Sequence, residues 1–269
     1  MKPSSPKISV VVSTYNWPEA LALFLESAIR QNTKPYEVLV ADDGSGEPTR
    51  KLVESYAARA PFPIRRVWHE DRGFRLAAIR NKAIAVASGD YIVMTDGDII
   101  LHPDFIRDHG RAAERGYFSA GSRVDLPAGY TARITASGNY SGSRLFLSSL
   151  SSPMKGLRLP ALGKLFRNRH SGTPFHGRGC NLAAWRDDLE AVNGFDESYE
   201  GWGREDTDLM CRLMKLGRRK RTLRLCTVSY HLHHKTRNSD DDLSRNDEIL
   251  RRAMESSGFR CANGIVKDR

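Results

Sequence analysis

A mixed α/β fold, with a mostly parallel central sheet wound in the Rossmann manner and flanked by helices, is the architecture this sequence predicts. Three observations predict it. Strand-like and helix-like patterns alternate over the first half of the chain. The strand candidates are continuous apolar runs, as expected of strands buried on both faces. Each run also ends in polar or acidic residues, where ligands bind in open α/β sheets, beyond the carboxyl ends of the strands.

In order, Ile8 to Val12 (I-S-V-V-V) reads as a buried strand ending in Ser13-Thr14-Tyr15-Asn16. Asn16 with Glu19 three residues on, and Pro18 in the first turn, predicts a capped helix start. Leu21, Phe24, Leu25, Ala28 and Ile29 follow at helical spacing. Glu37 to Ala41 is a second strand running into Asp42-Asp43-Gly44-Ser45-Gly46, with a helix from Pro48 to Arg59. Ile64 to Trp68 is a third strand and Arg75 to Ser88 a third helix.

The fourth strand ends in Tyr91 to Ile100, Y-I-V-M-T-D-G-D-I-I. Two carboxylates two residues apart, Asp96 and Asp98, repel each other at neutral pH unless something positive sits between them. Hard oxygens suit Mg²⁺ or Mn²⁺, and Gly97 lets backbone and ligand approach closely. The alternative is an acidic turn. No G-x-G-x-x-G follows the first strand, so the ordinary dinucleotide fingerprint is missing. Asp42 and Asp43 stand there instead, as acceptors for a base or ribose, or as a turn.

The 269 residues make a single domain of four parts: a nucleotide-binding half to residue 124, a loop region over 125–174, an acceptor-binding and catalytic half over 175–236, and a helical tail over 237–269. The loop region is rich in Gly, Pro and Ser and reads as a long, partly mobile excursion. Its run from Lys155 to Arg169 interleaves basic and apolar side chains, as a segment lying on an anionic membrane does; a solvated basic loop is the alternative. A strand is expected from Phe175 to Trp185, then a helix to Val192, the turn Asn193 to Asp196, a helix after Glu205-Asp206 closed by Gly217, a strand from Thr222 to Tyr230, and a charged tail helix from Asp240. His231 and His233, two apart at that strand's end, point to one face and can complete a metal shell with Asp98 and Asp96.

A net charge of +10 and a pI near 9.6 call for an anionic partner: a nucleic acid, an anionic membrane or a phosphorylated small molecule. A mean hydropathy of -0.49 and the polar opening Met1 to Lys7 predict a cytoplasmic protein without a signal peptide. The four cysteines are widely spaced and read as reduced thiols.

The runs S-T-Y-N, A-D-D-G-S, R-N-K-A-I-A-V-A-S-G-D-Y-I and T-D-G-D resemble a family-2 glycosyltransferase of the GT-A fold. C-N-L-A-A-W-R-D-D-L-E-A-V-N-G-F-D-E and G-W-G-R-E-D-T-D-L resemble the half shared by β-1,4-galactosyltransferases and chondroitin-polymerase-type enzymes. The resemblance implies an inverting, metal-dependent transfer of a hexose or N-acetylhexosamine from a UDP-sugar to a glycan or lipid-linked glycan, in bacterial polysaccharide or lipopolysaccharide synthesis at the inner membrane face.

By residue, it implies Thr14, Tyr15, Asn16, Asp42, Asp43, Arg75, Asp96 and Gly97 around the nucleotide sugar. Asp98, Asp96 and His231 or His233 hold Mn²⁺ or Mg²⁺. Asp206 is the base, with Glu205 orienting the acceptor beside Trp202 and Gly203. For Arg80 the structural alternative is an ion pair with Asp96 or a neighbouring carboxylate. Two rivals are weaker. A sugar-nucleotide pyrophosphorylase requires a glycine-rich phosphate loop absent here. A nucleic-acid-binding protein rests on Arg218-Arg-Lys-Arg221, a run with little aromatic interleaving that reads as a solvated turn or an anionic-membrane contact.

Overall fold

The computed structural model describes residues 5–235 and 240–267, so the opening Met1 to Ser4 and positions 236–239 and 268–269 lie outside the described residues. The three predicted strand–helix units and the fourth strand are present as β1 (Ile8–Thr14), α1 (Pro18–Ile29), β2 (Glu37–Asp42), α2 (Glu47–Ala57), β3 (Ile64–Trp68), α3 (Leu76–Ala85) and β4 (Tyr91–Asp96). Then come β5 (Ile99–Leu101), α4 (Phe105–Ala112), β6 (Tyr117–Ala120) and β7 (Val124–Asp125). The helices α5 (Ala128–Ser137), α6 (Gly142–Leu150), α7 (Pro153–Gly156) and α8 (Pro160–Gly163) follow. The chain closes with β8 (Leu182–Trp185), α9 (Arg186–Ala191), α10 (Glu205–Lys215), β9 (Arg219–Thr222), β10 (Ser229–His231) and α11 (Asp240–Glu255).

Seven strands form the main sheet in the order β3-β2-β1-β4-β8-β6-β9. The first four are parallel, β8 runs antiparallel to both β4 and β6, and β9 returns parallel to β6. Continuous apolar strands explain this arrangement, because Val10, Val11, Val12, Ile92, Val93 and Met94 are all fully buried and both faces need covering. Val10, Val12 and Val93 pack under α1; Val11, Ile92 and Met94 pack under α3 and α10. A second sheet, β5-β10-β7, carries a third core around Ile100, Val124 and Tyr230.

Four local expectations are corrected. Where the Gly- and Pro-rich stretch 125–174 predicts a loop, four short helices form, because Leu145 and Ile134 find a core to enter. The strand expected over 175–185 is confined to Leu182–Trp185, after a tight turn at Gly179–Asn181. The strand expected over 222–230 is two strands in different sheets, β9 and β10. The run Arg218 to Arg221 is not a solvated turn. Lys220 is fully buried with its ammonium on the Phe175 and Thr173 carbonyls, Arg221 donates to Ala112 O and Glu114, and Arg218 pairs with Asp188 at 2.7 Å. Three of its four cations are therefore engaged by protein partners, while Arg219 stays exposed beside the Tyr117 ring.

Candidate active site

The parallel half of the sheet brings three loop starts together. Gly97 N–H donates to Ser13 O at 2.7 Å and Asp43 N–H to Thr14 O at 3.0 Å, so the ends of β2 and β4 are sewn onto the end of β1. A Cβ on Gly97 would lie 3.0 Å from Ser13 O and 3.2 Å from the Thr14 side chain, which makes the close approach specific to glycine. Because β8 is antiparallel to β4, pairing Met94 with Leu182, the turn before β8 reaches the same edge. In that turn, Gly179 N–H donates to Asp206 Oδ2 at 2.8 Å and carries the start of α10 there too.

Arg80 is the hub. Its side chain is almost wholly buried, with Nε on Ser13 Oγ at 3.0 Å, Nη2 on Asp96 Oδ1 at 2.8 Å and Nη1 on Glu205 Oε1 at 3.3 Å. A cation takes its place in the interior only when paired and hydrogen-bonded, and this one is. The guanidinium therefore joins the Asp96-Gly97-Asp98 turn to the first turn of α10. Asp96 is thus a partner of Arg80 rather than a member of the metal cluster. Burial pushes the Glu205 carboxyl up to about 7, and the neighbouring Asp206 adds to this against the pull of Arg80.

Asp98, His231 and His234 form a compact donor set whose atoms lie within 4.8 Å of one another. Asp98 Oδ2 lies 3.3 Å from His231 Nε2 and 3.0 Å from His234 Nε2. Burial works against the Asp98 anion, yet hydrogen bonds from both imidazoles hold its pKa far below the usual carboxylate range. The same bond raises the His234 pKa. Asp98 Oδ1 is buried and has no hydrogen-bond partner among the described residues, a costly state for a carboxylate oxygen unless a cation completes it. One carboxylate and two imidazoles make a mixed oxygen and nitrogen donor set of the kind that takes a first-row divalent cation.

His233 is not in this set. Strand alternation stops at His231, which pairs with Ile99; Leu232 N–H then bonds Asp98 O, and His233 N–H turns to Thr131 Oγ1 at 2.9 Å. His233 is exposed and His234 comes round in its stead. His231 Nδ1 also lies 3.3 Å from Asp125 Oδ1, a neighbour that sequence spacing gave no means of finding.

The acidic turn after β2 is built differently. Asp42 Oδ1 accepts Ser45 N–H at 2.8 Å and Oδ2 accepts Arg66 Nε at 2.7 Å. Asp43 is buried against His69 Nε2 at 2.5 Å and accepts Arg75 N–H at 2.9 Å. Burial pushes the Asp43 carboxyl up against the pull of His69. Asp42 is fully buried with both oxygens on protein donors, the arrangement of the turn that the sequence offered as its alternative. Arg75 enters through its backbone, its side chain donating to Glu70 O at 2.7 Å.

Asn16 is no helix cap. It sits at a φ of 46° and braces the β2–α2 loop, with N–H on Ser45 Oγ and Oδ1 accepting Gly46 N–H. Tyr15 OH donates to Asp71 at 2.8 Å. Trp202 stands 39% exposed between Gly201 and Gly203, both at positive φ, and its loop is held by Asn246 of α11, whose amide donates to the carbonyls of Glu200, Trp202 and Gly203. The tail helix, chemically silent in the sequence, thus shapes this loop.

The family model for glycosyl transferase family 2 matches residues 9–159, and one described as the N-terminal domain of galactosyltransferase matches residues 166–235. Validoxylamine A glucosyltransferase of Streptomyces hygroscopicus subsp. limoneus is 32% identical over 224 residues, covering 77% of this chain and 48% of that protein. Chondroitin synthase of Pasteurella multocida (strain Pm70) is 28% identical over 237 residues, 78% of this chain and 23% of that one. The chain thus spans about half the length of the first relative and about a quarter of the second.

Among solved structures, a mannosyltransferase from Pyrobaculum calidifontis in complex with GDP-Man and Mn²⁺ superposes with a TM-score of 0.62 at 22% identity, over 93% of this chain and 65% of that one. TarS of S. aureus in complex with UDP gives 0.61 at 16%, over 97% and 67%. These share the GT-A fold that the sheet order describes. Since the first model runs unbroken from β1 through the Asp96–Asp98 turn and covers residues 9–159 of 269, the chain belongs to glycosyl transferase family 2.

Proposed function

We propose that this protein transfers a hexose or N-acetylhexosamine from a UDP-sugar to a hydroxyl of a glycan or lipid-linked glycan, with inversion, in bacterial surface polysaccharide or lipopolysaccharide synthesis. The observation that carries the reading is the convergence, at one sheet edge, of Asp98 with its unpartnered oxygen and the Glu205–Asp206 pair, linked through Arg80. Relatives named as a glucosyltransferase and a chondroitin synthase, and fold neighbours holding GDP-Man with Mn²⁺ or UDP, support it.

Asp98, His231 and His234 would hold Mn²⁺ or Mg²⁺, with Asp125 bracing His231. Such a cation, when bound, acts as a Lewis acid that offsets the negative charge growing on a departing diphosphate. Thr14, Tyr15 and Gly97 line the edge where the nucleotide would lie, and Asp43, stiffened by His69, sits behind it. Asp206 stands in the first turn of α10, its Oδ2 held by Gly179 N–H at 2.8 Å. It takes the proton of the acceptor hydroxyl while that oxygen forms the new bond at the anomeric carbon and the bond to UDP breaks. Glu205, anchored by Arg80, orients the acceptor, and Trp202 offers its ring to a sugar face.

The test is a panel of nucleotide sugars scored for metal-dependent thermal stabilisation and hydrolysis, repeated with Asp206→Asn. Donor binding retained with transfer lost by about 10²–10⁴-fold supports the assignment. Near-normal transfer by Asp206→Asn removes Asp206 from its role.

A further inference from the structure

From Leu126 to Arg186 the sequence holds nine Lys and Arg and no Asp or Glu. In a chain with 32 acidic residues, that is a long one-signed stretch. The helices it forms are also inverted. In α6, Leu145 and Ser149 face inward, while Phe146, Leu147 and Leu150 are turned out, the last two 61% and 49% exposed. The spacing continues with Leu159, Leu162 and Leu165 at three-residue intervals, all outward, Leu165 at 79%. Seven of the sixteen exposed large apolar side chains among the described residues fall between positions 146 and 165.

Single exposed leucines are ordinary, but a clustered row is a binding surface. The charge decides its partner. Lys155, Lys164 and Arg169 are exposed among these side chains, so the surface is apolar bulk studded with cations, the composition of an interfacial helix on anionic lipid. No described helix is long and apolar enough to cross a membrane, so contact is by lying on the surface. Arg158, which the sequence groups with these cations, is withdrawn from the task by its bonds to Asp108 at 2.6 and 2.8 Å. Arg133 and Arg144, across α5 and α6, line an open cavity of about 470 Å³ with Tyr130, wide enough for a phosphate headgroup.

The surface starts beside the candidate metal cluster. β7 ends in Asp125, which touches His231, and Leu126 N–H bonds His231 O at 2.8 Å. We infer that α6 to α8 form a docking surface for an anionic lipid bilayer, which sets the active-site edge facing membrane-borne acceptors.

The experiment is co-sedimentation of the full chain with vesicles of phosphatidylcholine alone and of phosphatidylcholine with phosphatidylglycerol. It compares the wild type with Leu162→Glu/Leu165→Glu and with Lys155→Glu/Lys164→Glu. The expected result is sedimentation with anionic vesicles only, reduced about ten-fold or more in each double variant, with unchanged thermal midpoint and unchanged hydrolysis of a nucleotide sugar in solution. Wild type that stays in the supernatant, or variants that sediment equally well, would overturn it. So would light scattering showing a dimer that Leu162→Glu/Leu165→Glu dissolves, since a second copy would then cover the row.

Discussion

Two acidic turns flank the first strand of the sheet, and they differ in how much of their hydrogen-bonding capacity the protein itself takes up. After β2, all four carboxylate oxygens of Asp42 and Asp43 have protein partners: Ser45 N–H, Arg66, His69 and Arg75 N–H. After β4, Asp96 leans on Arg80, two imidazoles crowd one oxygen of Asp98, and the other is buried with no hydrogen-bond partner among the described residues. The lesson is that a carboxylate's role shows in its unfilled bonds more than in its place in a motif. A saturated pair holds the scaffold; an unsaturated one waits for a ligand.

Three substitutions sharpen or break this contrast. The largest effect is expected at Asp98→Asn. Removing the charge from the unsaturated turn should abolish metal-dependent binding of UDP and lower transfer on the order of 10²–10⁴-fold, the several kcal/mol that a polarising cation supplies. Calorimetric titration with Mn²⁺ checks it, and equal UDP affinity with and without Mn²⁺ in the wild type would break the contrast.

At the saturated turn the effect should fall on stability. Asp42→Ala removes the acceptor of Arg66 Nε and Ser45 N–H, leaving Arg66 only its hydrogen bond to Ser45 O, and should cost about 2–4 kcal/mol in denaturant unfolding, with Mn²⁺ affinity unchanged. A loss of metal binding without a loss of stability would reverse the two roles.

The smallest effect concerns Glu205, at the far side of Arg80. Its folded-state pKa is raised from 4.5 to about 7, so the folded chain binds the proton more tightly than the unfolded one. The stability this contributes is complete below about pH 4.5 and is lost as pH climbs through about 7. Glu205→Gln should therefore gain on the wild type between pH 5 and pH 8, by at most on the order of 3 kcal/mol. Parallel stability curves over that range would show that Arg80 fully compensates the burial.

The parallel half of the fold was legible because apolar runs, polar strand ends and helical spacing all carry local signals. Asp98 and His231 were legible for the same reason, as was the Glu205–Asp206 helix start. His233 rather than His234 follows from extending the alternation past His231, whereas the backbone leaves the ladder at His233, whose N–H turns to Thr131 Oγ1. Arg80 is legible as a partner of Asp96 or a neighbouring carboxylate, but the sequence does not say which carboxylate. Its bond to Glu205 spans 125 positions, and no local pattern encodes such a contact. The helices of 125–174 were hidden by their glycines and prolines, which here sit at helix starts and ends. Pro153 and Pro160 open α7 and α8, and Gly138 ends α5 in a left-handed turn.

Asn246 gives the Trp202 loop its shape from 44 positions away, and Gly201 is pressed so closely by Asp242 that a Cβ there would come within 2.4 Å of that carboxylate. Loop and tail helix are therefore one structural module. A chimera that borrows the aromatic loop of a relative while keeping its own last helix combines mismatched halves, so a graft of this loop requires both to be moved together.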